Sequence, residues 1–327
     1  MEMKRKRFLM RSLKNENRII QYIETMILDF IGMPLCLGAS TTGMERGPKM
    51  IRRTDLKDVF SKHVFQDKGD IACGENIDMD IPSMKNVKPI MESDYRLADE
   101  VYSTLSNNHF PLIFGGDHSL SWGSIAGVTR KYDDLAVIYI DAHGDFNTEQ
   151  TSETHNVHGM HMAYLMGFGA LNKNIDLRDS HFINSVKSQS VFFVGSRALD
   201  QGELDFKEQY NMNVISSDNV RTKGWDVVSK AVTKALLNRK VRHVHISLDI
   251  DVMDPSFVPG TGVPEKDGLN PIEVNGMLGY FLSNLPVVSM DLVEYNPRLD
   301  KEEKTYHVCL DLMKTINDSL NNRNGNE

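Results

Sequence analysis

The chain has 327 residues, enough for one large α/β domain or two small ones, and its 40% hydrophobic content is ample for a buried core. A net charge of −8 argues against nucleic acid as the main partner. No apolar run approaches the roughly 18 residues of a membrane span. Cys36, Cys73 and Cys309 are unlike any cysteine metal-site spacing, so they read as reduced thiols of a cytoplasmic protein.

Residues 1–18 set Lys4, Arg5, Lys6, Arg7, Arg11, Lys14 and Arg18 against only Glu2 and Glu16. We read residues 1–26 as a solvated basic extension rather than a targeting peptide, because the apolar run there is too interrupted for a secretory signal. Ile27-Leu28-Asp29-Phe30-Ile31-Gly32 is the first core strand. A glycine-bearing loop from Gly38 to Gly43 follows, and Gly47-Pro48 opens a helix, proline sitting well in a first turn. Residues 66–92 are polar and rich in Gly, Pro and Asp. They read as surface loop with one short strand, and residues 93–108 have helical spacing.

From there one pattern repeats: an apolar run, a polar cluster, a helical stretch. Pro111-Leu112-Ile113-Phe114 leads to Gly115-Gly116-Asp117-His118-Ser119. Leu135-Ala136-Val137-Ile138-Tyr139-Ile140 leads to Asp141-Ala142-His143-Gly144-Asp145. Ser190 to Gly195 leads to Ser196-Arg197, and Val244 to Leu248 leads to Asp249-Ile250-Asp251. Pro286 to Met290 ends in Asp291 and Glu294. Strands alternating with helices imply parallel pairing and a sheet covered on both faces, an α/β fold. No linker or composition break divides the chain. Residues 27–320 therefore form a single domain, closed by a helix over 303–320 and followed by a polar tail, 321–327.

Strand ends are where open parallel sheets place ligand sites. On extended chain, alternate residues point the same way, so Asp141, His143 and Asp145 converge there. Three such groups at the end of an apolar strand need compensation, and a metal ion is the simplest. With His118, Asp249 and Asp251 the candidate set is four carboxylates and two imidazoles. That exceeds one open catalytic zinc site and suits two ions sharing carboxylates. Hard oxygen with some imidazole favours Mn²⁺, while affinity order alone leaves Co²⁺, Ni²⁺ and Zn²⁺ open. Two close divalent ions lower the pKa of a shared water. Taken singly, Asp-x-Asp is most often a turn or cap, and Gly-Gly-Asp-His a tight turn. The combination on three strands makes the signal. His245 lies inside a strand and reads as core-facing.

At these residues the chain resembles the arginase–agmatinase family of ureohydrolases, and within it bacterial arginases. Gly115-Gly116-Asp117-His118-Ser119, Asp141-Ala142-His143-Gly144-Asp145, and Ser247-Leu248-Asp249-Ile250-Asp251 through Asp254-Pro255 look like its three metal motifs. Gly47-Pro48 and Glu294-Tyr295-Asn296-Pro297-Arg298-Leu299-Asp300 extend the likeness, which runs from about Ile31 to about Leu312. The resemblance implies a three-layer α/β/α fold with about eight parallel strands and two Mn²⁺ per chain. One ion would be held by His118, Asp141, Asp145 and Asp249, the other by His143, Asp141, Asp249 and Asp251. It further implies Asp145 as the residue orienting a metal-bridging hydroxide, Glu294 as guanidinium counter-charge and His158 as proton shuttle. Asn147 and Thr154 match donors for an α-carboxylate, and Asp200 the residue facing an α-amino group. A homotrimer or hexamer is expected by the same likeness.

Some positions depart from the family pattern. Thr154-His155 stands where Ser-Gly is usual, Val263 where threonine is common, and Asp267-Gly268 where Gly-Gly is usual. His155 is expected to add bulk at the mouth of the site. The expected activity is hydrolysis of L-arginine to L-ornithine and urea. Its alternatives are a relative acting on agmatine or another guanidino compound, and a catalytically silent metal-binding subunit. A one-metal zinc deacylase is disfavoured by the six-ligand set.

Overall fold

The computed structural model describes residues 26–77, 81–169 and 177–320. The basic extension and the polar tail lie outside these, apart from Met26. Among the described residues eight parallel strands form one sheet: β1 (Ile27–Met33), β2 (Val64–Asp70), β3 (Phe110–Gly115), β4 (Leu135–Ile140), β5 (Val191–Gly195), β6 (Asn213–Ser216), β7 (His243–Asp249) and β8 (Val287–Val293). Their spatial order is β2-β1-β3-β8-β7-β4-β5-β6.

Side chains alternate across the sheet, and both faces are apolar. Along β4, Ala136, Ile138 and Ile140 enter one buried cluster, and Leu135, Val137 and Tyr139 the other. Helices α3 (Val87–Ser106) and α4 (Ser121–Thr129) pack over the Tyr139 side. The short helices α5 (His161–Leu165), α6 (Gln201–Gln209) and α7 (Ser217–Lys223) come next in the chain, and α5 joins the Tyr139 side; on the other side lie α8 (Trp225–Asn238), α9 (Pro271–Asn284) and α10 (Lys304–Leu320). The first helices, α1 (Gly47–Ile51) and α2 (Leu56–Val59), follow β1. This is the three-layer α/β/α arrangement expected.

Three expectations are corrected. Helix α3 begins at Val87 rather than near 93, because Pro89 suits its first turn and Val87, Ile90 and Met91 are buried. Part of residues 66–92 is thus helix, and β2 starts before 66. This strand reads as polar because it is a sheet edge, six of its seven residues being exposed. Asp291 does not end its strand. Strand β8 runs on to Val293 and buries Asp291 fully.

The strand order positions the site. Strands β7 and β8 insert between β3 and β4, so β3, β8, β7 and β4 lie side by side. Their carboxyl ends deliver His118, Glu294, Asp249 with Asp251, and the Asp141 motif to one edge.

Candidate metal centre and active site

His118 follows β3 in a 3₁₀ turn (His118–Leu120) capped by Asp117, whose other carboxylate oxygen accepts from Gly38 N at 2.9 Å. Asp249 closes β7, and its carboxylate accepts from Asp251 N at 2.7 Å. His143 N likewise donates to Asp141 Oδ1 at 2.6 Å. Each Asp-x-Asp or Asp-x-His thus makes an ordinary local turn and still presents a second oxygen. Asp145 reaches the cluster differently from expected: its φ of 56° is left-handed, so a turn rather than extended alternation aims it inward. Tyr139 OH donates to Asp145 Oδ2 at 2.6 Å.

The six residues converge. His118 Nδ1 lies 2.9 Å from Asp141, 3.2 Å from Asp145 and 3.2 Å from Asp249. His143 Nδ1 lies 3.0 Å from Asp251 and 3.4 Å from Asp141. The donor atoms of His118, Asp141 and Asp249 all fall within 4.8 Å of one another, as do those of Asp141, His143 and Asp251. A third such group is His118, Asp145 and His161, and sequence reasoning left His161 out of the set.

A chain of hydrogen bonds fixes the His118 tautomer. Ser247 Oγ gives its one proton to Asp291 Oδ1 at 2.5 Å, so it accepts from His118 Nε2–H at 2.8 Å. In its neutral form His118 turns a bare Nδ1 lone pair toward three carboxylate oxygens. Acceptors that close repel unless a proton or cation lies between them. Asp141 Oδ2 is buried with no hydrogen-bond donor, and the Asp249 carboxyl is pushed well above its ordinary range by burial and by Asp251 and Asp141. The donor set therefore fits hard divalent cations.

Asp291 anchors a buried polar stripe. It also accepts from Ser121 at 3.1 Å and Ser124 at 2.5 Å, and lies 3.0 Å from His245, whose other nitrogen is 2.7 Å from Ser289. Sheet register makes this possible: Ser247 pairs with Asp291, His245 with Ser289, and Tyr139 with Ser247. His245 is core-facing as expected. Sequence reasoning gave Tyr139, Ser247 and Asp291 no such role. The available signal was period two, since Tyr139 and Ser247 each precede a candidate ligand by two positions.

Above the cluster is a cavity of about 460 Å³, lined by His143, Asp145, Asn147, Thr154, His158, Asp200, Asp249, Asp251 and Glu294, together with Glu203, Val263 and Glu265. His118 and Asp141 are buried beneath it. Glu294 follows β8 with a left-handed φ of 65°. Its Oε1 accepts from His118 N at 2.9 Å and lies 3.2 Å from His158 Nδ1, while Oε2 is buried without a partner. Burial disfavours the His158 imidazolium, but the Glu294 carboxylate outweighs it and lifts the pKa to about 9.

Across the cavity, Asn147 Nδ2 donates to Asp200 Oδ2 at 2.8 Å, and Thr154 Oγ1 accepts from Asn156 N at 3.3 Å. Glu203 accepts from Asp200 N and Phe146 N, tying the two loops together, and burial raises its pKa to about 8. His155 does not line the cavity, contrary to expectation. Its φ of 58° places it in a turn whose carbonyl accepts from Lys85 N, whereas Val263 does line the cavity.

The family model described as Arginase family matches residues 28–317. The chain belongs to the arginase family. An arginase from Staphylococcus aureus is 33% identical, with 90% of this chain and 97% of that protein covered. One from Bacillus caldovelox is 34% identical over 88% of this chain and 97% of the relative. The native structure of the Bacillus caldovelox arginase superposes with a TM-score of 0.83 at 32% identity, covering 89% of this chain and 98% of that one. The arginase family match spans every ligand candidate above and both cavity walls. No helix among the described residues is long and apolar enough to cross a membrane.

Proposed function

We propose that this chain is a manganese-dependent arginase that hydrolyses L-arginine to L-ornithine and urea. The observation that carries the reading is Glu294 Oε2, a buried carboxylate oxygen without a partner, lining the same cavity as the metal cluster. A guanidinium is the planar cation that such an oxygen would bind.

Two Mn²⁺ ions would be held by His118, Asp141, Asp145 and Asp249, and by His143, Asp141, Asp249 and Asp251. Asp141 and Asp249 would be shared, and for Asp141 the overlap of the two donor groups supports this. When bound, the ions supply a water-derived nucleophile at neutral pH. The guanidinium carbon is a poor electrophile because its charge is delocalised. Glu294 orients it and balances its charge, and Asp145, held by Tyr139, orients the nucleophile. Attack of water on the guanidinium carbon breaks the bond from that carbon to the side-chain nitrogen and releases urea and the amine; His158, which its pairing with Glu294 keeps charged, gives the leaving nitrogen a proton and takes back the one that the attacking water loses. Asn147 and Thr154 would meet the α-carboxylate and Asp200 the α-ammonium.

A second reading, agmatine as substrate, is favoured by one observation. No arginine or lysine lines the cavity among the described residues, so a carboxylate beside Asn147 and Thr154 would meet only neutral donors there, and Asp200 already engages the Asn147 amide. Urea release from Mn²⁺-loaded protein given arginine and agmatine side by side decides between them, with metal-stripped protein as control. Preference for agmatine overturns the arginine assignment and keeps the chemistry. Absence of urea from both, with two ions bound, makes the silent subunit the leading reading.

We further propose a cytoplasmic, trimer-based homo-oligomer of one ureohydrolase domain over residues 27–320. The free thiols of Cys36, Cys73 and Cys309 are consistent with a reducing compartment. A solution mass of one chain would overturn the assembly.

A further inference from the structure

The two imidazoles of the cluster differ in what stands behind them. Both turn Nδ1 toward carboxylates of the cluster. Behind His118, Nε2 is fully enclosed and meets Ser247, with Asp291 beyond. Behind His143, Nε2 faces the cavity mouth, and the carboxylate there is Glu265, with Oε1 4.0 Å away. That distance is longer than a hydrogen bond. The Glu265 side chain is 40% exposed, so a rotation or one bridging water turns it into a hydrogen bond.

Glu265 is held in place by its backbone. Arg197 follows β5, and its guanidinium donates to Glu265 O at 2.9 Å and Lys266 O at 2.8 Å. The same group donates to Asp251 O at 2.9 Å and Val252 O at 3.1 Å. One side chain therefore ties the segment carrying Glu265 to the segment carrying a metal-ligand candidate. Five planar N–H donors in a fixed fork suit this task, and lysine could not make the same set.

An imidazole that binds metal through one nitrogen depends on the acceptor behind the other. That acceptor fixes the tautomer and ring plane and raises the basicity of the binding nitrogen. We propose that Glu265 is the positioning residue for His143: it is the carboxylate acceptor for Nε2–H, held by Arg197. The ion on the His143 side is then supported from the solvent-facing mouth, whereas the ion on the His118 side is supported from inside the sheet. Retention of the first depends on the 263–267 segment, and retention of the second does not. This inference rests on the two-ion reading above.

The test is a chelator competition on Mn²⁺-loaded full-length protein, counting bound metal at each chelator concentration. Wild type, Glu265→Gln, Glu265→Asp and Arg197→Lys are compared. For Glu265→Gln we expect one ion at wild-type affinity and the other held about 10-fold or more weakly. Its melting temperature in excess Mn²⁺ should be unchanged, because the side chain is at the surface. Glu265→Asp should recover part of the loss, and Arg197→Lys should weaken the same single ion. Wild-type retention of both ions in Glu265→Gln overturns the proposal and leaves the two-ion centre standing. Equal weakening of both ions overturns it as well, since the effect would then be general electrostatics. A wild-type count below two ions overturns this proposal and the two-ion reading together.

Discussion

His118 Nε2 lies 2.8 Å from Ser247 Oγ, although the two residues are 129 positions apart. Ser247 in turn gives its proton to Asp291, so one hydroxyl transmits a buried carboxylate on β8 to an imidazole at the end of β3. Asp291 is fully buried and held near a pKa of about 2: burial opposes the charge, and His245 with the surrounding donors overcomes it. Replacing Asp291 by Asn should remove the charge that organises Ser121, Ser124, Ser247 and His245. We expect a loss of roughly 3–5 kcal/mol in denaturant unfolding. Metal affinity should fall about 10–100-fold in chelator competition. An unchanged affinity would show that His118 does not need this support.

Metal removal is expected to cost stability. Without cations, His118 Nδ1 faces three carboxylate oxygens within 3.2 Å. Ions present at about 1,000 times their dissociation constant stabilise by roughly 4 kcal/mol each. Thermal unfolding of chelator-treated protein should show a lowered midpoint that added Mn²⁺ restores. Asp249→Asn should reduce the restoration from both ions, and two ions bound with wild-type midpoints would remove Asp249 from the shared position.

Glu294→Gln should separate binding of metal from turnover. Its carboxylate touches His118 only through the backbone N–H, so bound metal per chain should stay as in wild type. Loss of the counter-charge should lower kcat/KM for arginine by roughly 100-fold or more. Wild-type rates would take Glu294 out of the reaction.

His158 makes stability depend on pH in a definite direction. Its folded pKa of about 9 exceeds the unfolded value of 6.5, so the imidazolium–Glu294 pair contributes fully below about pH 6.5. That contribution declines as pH rises and is lost through pH 9. The melting-temperature advantage of wild type over His158→Asn should therefore shrink across this window. The same variant should lower kcat about 10²–10⁴-fold if His158 supplies the leaving-group proton. A flat difference in melting temperature would mean that the pair is not ionic.

Thr154→Ala tests the far wall. Thr154 lines the cavity, and its hydroxyl touches only a backbone N–H among the contacts described. KM for arginine should rise several-fold, by the roughly 1 kcal/mol of one hydrogen bond, with kcat little changed. Agmatine turnover should be unaffected, and equal effects on both substrates would undo the carboxylate assignment.

Local sequence determined which residues can ligate and where the buried strands run. Leu135 to Ile140 reads as a buried strand, because a continuous apolar run has no polar face to give to solvent, and its shortness and β-branched residues favour strand over helix. Asp141, His143, Asp145, Asp249 and Asp251 stand out because ionisable groups ending such runs need a reason. Edge strands β2 and β6 were nearly silent, since solvent takes one side and no pattern is imposed. Tertiary structure alone decided that β8 and β7 insert between β3 and β4, which brings Glu294 to within 3.2 Å of His158 and Ser247 under His118. It also decided that Asp145 enters through a left-handed turn, that His155 turns away from the cavity, and that Glu265 faces His143. Those relations join residues far apart in the chain. They arise from strand order and register, which are set by how whole faces pack, and no local pattern of residues encodes them.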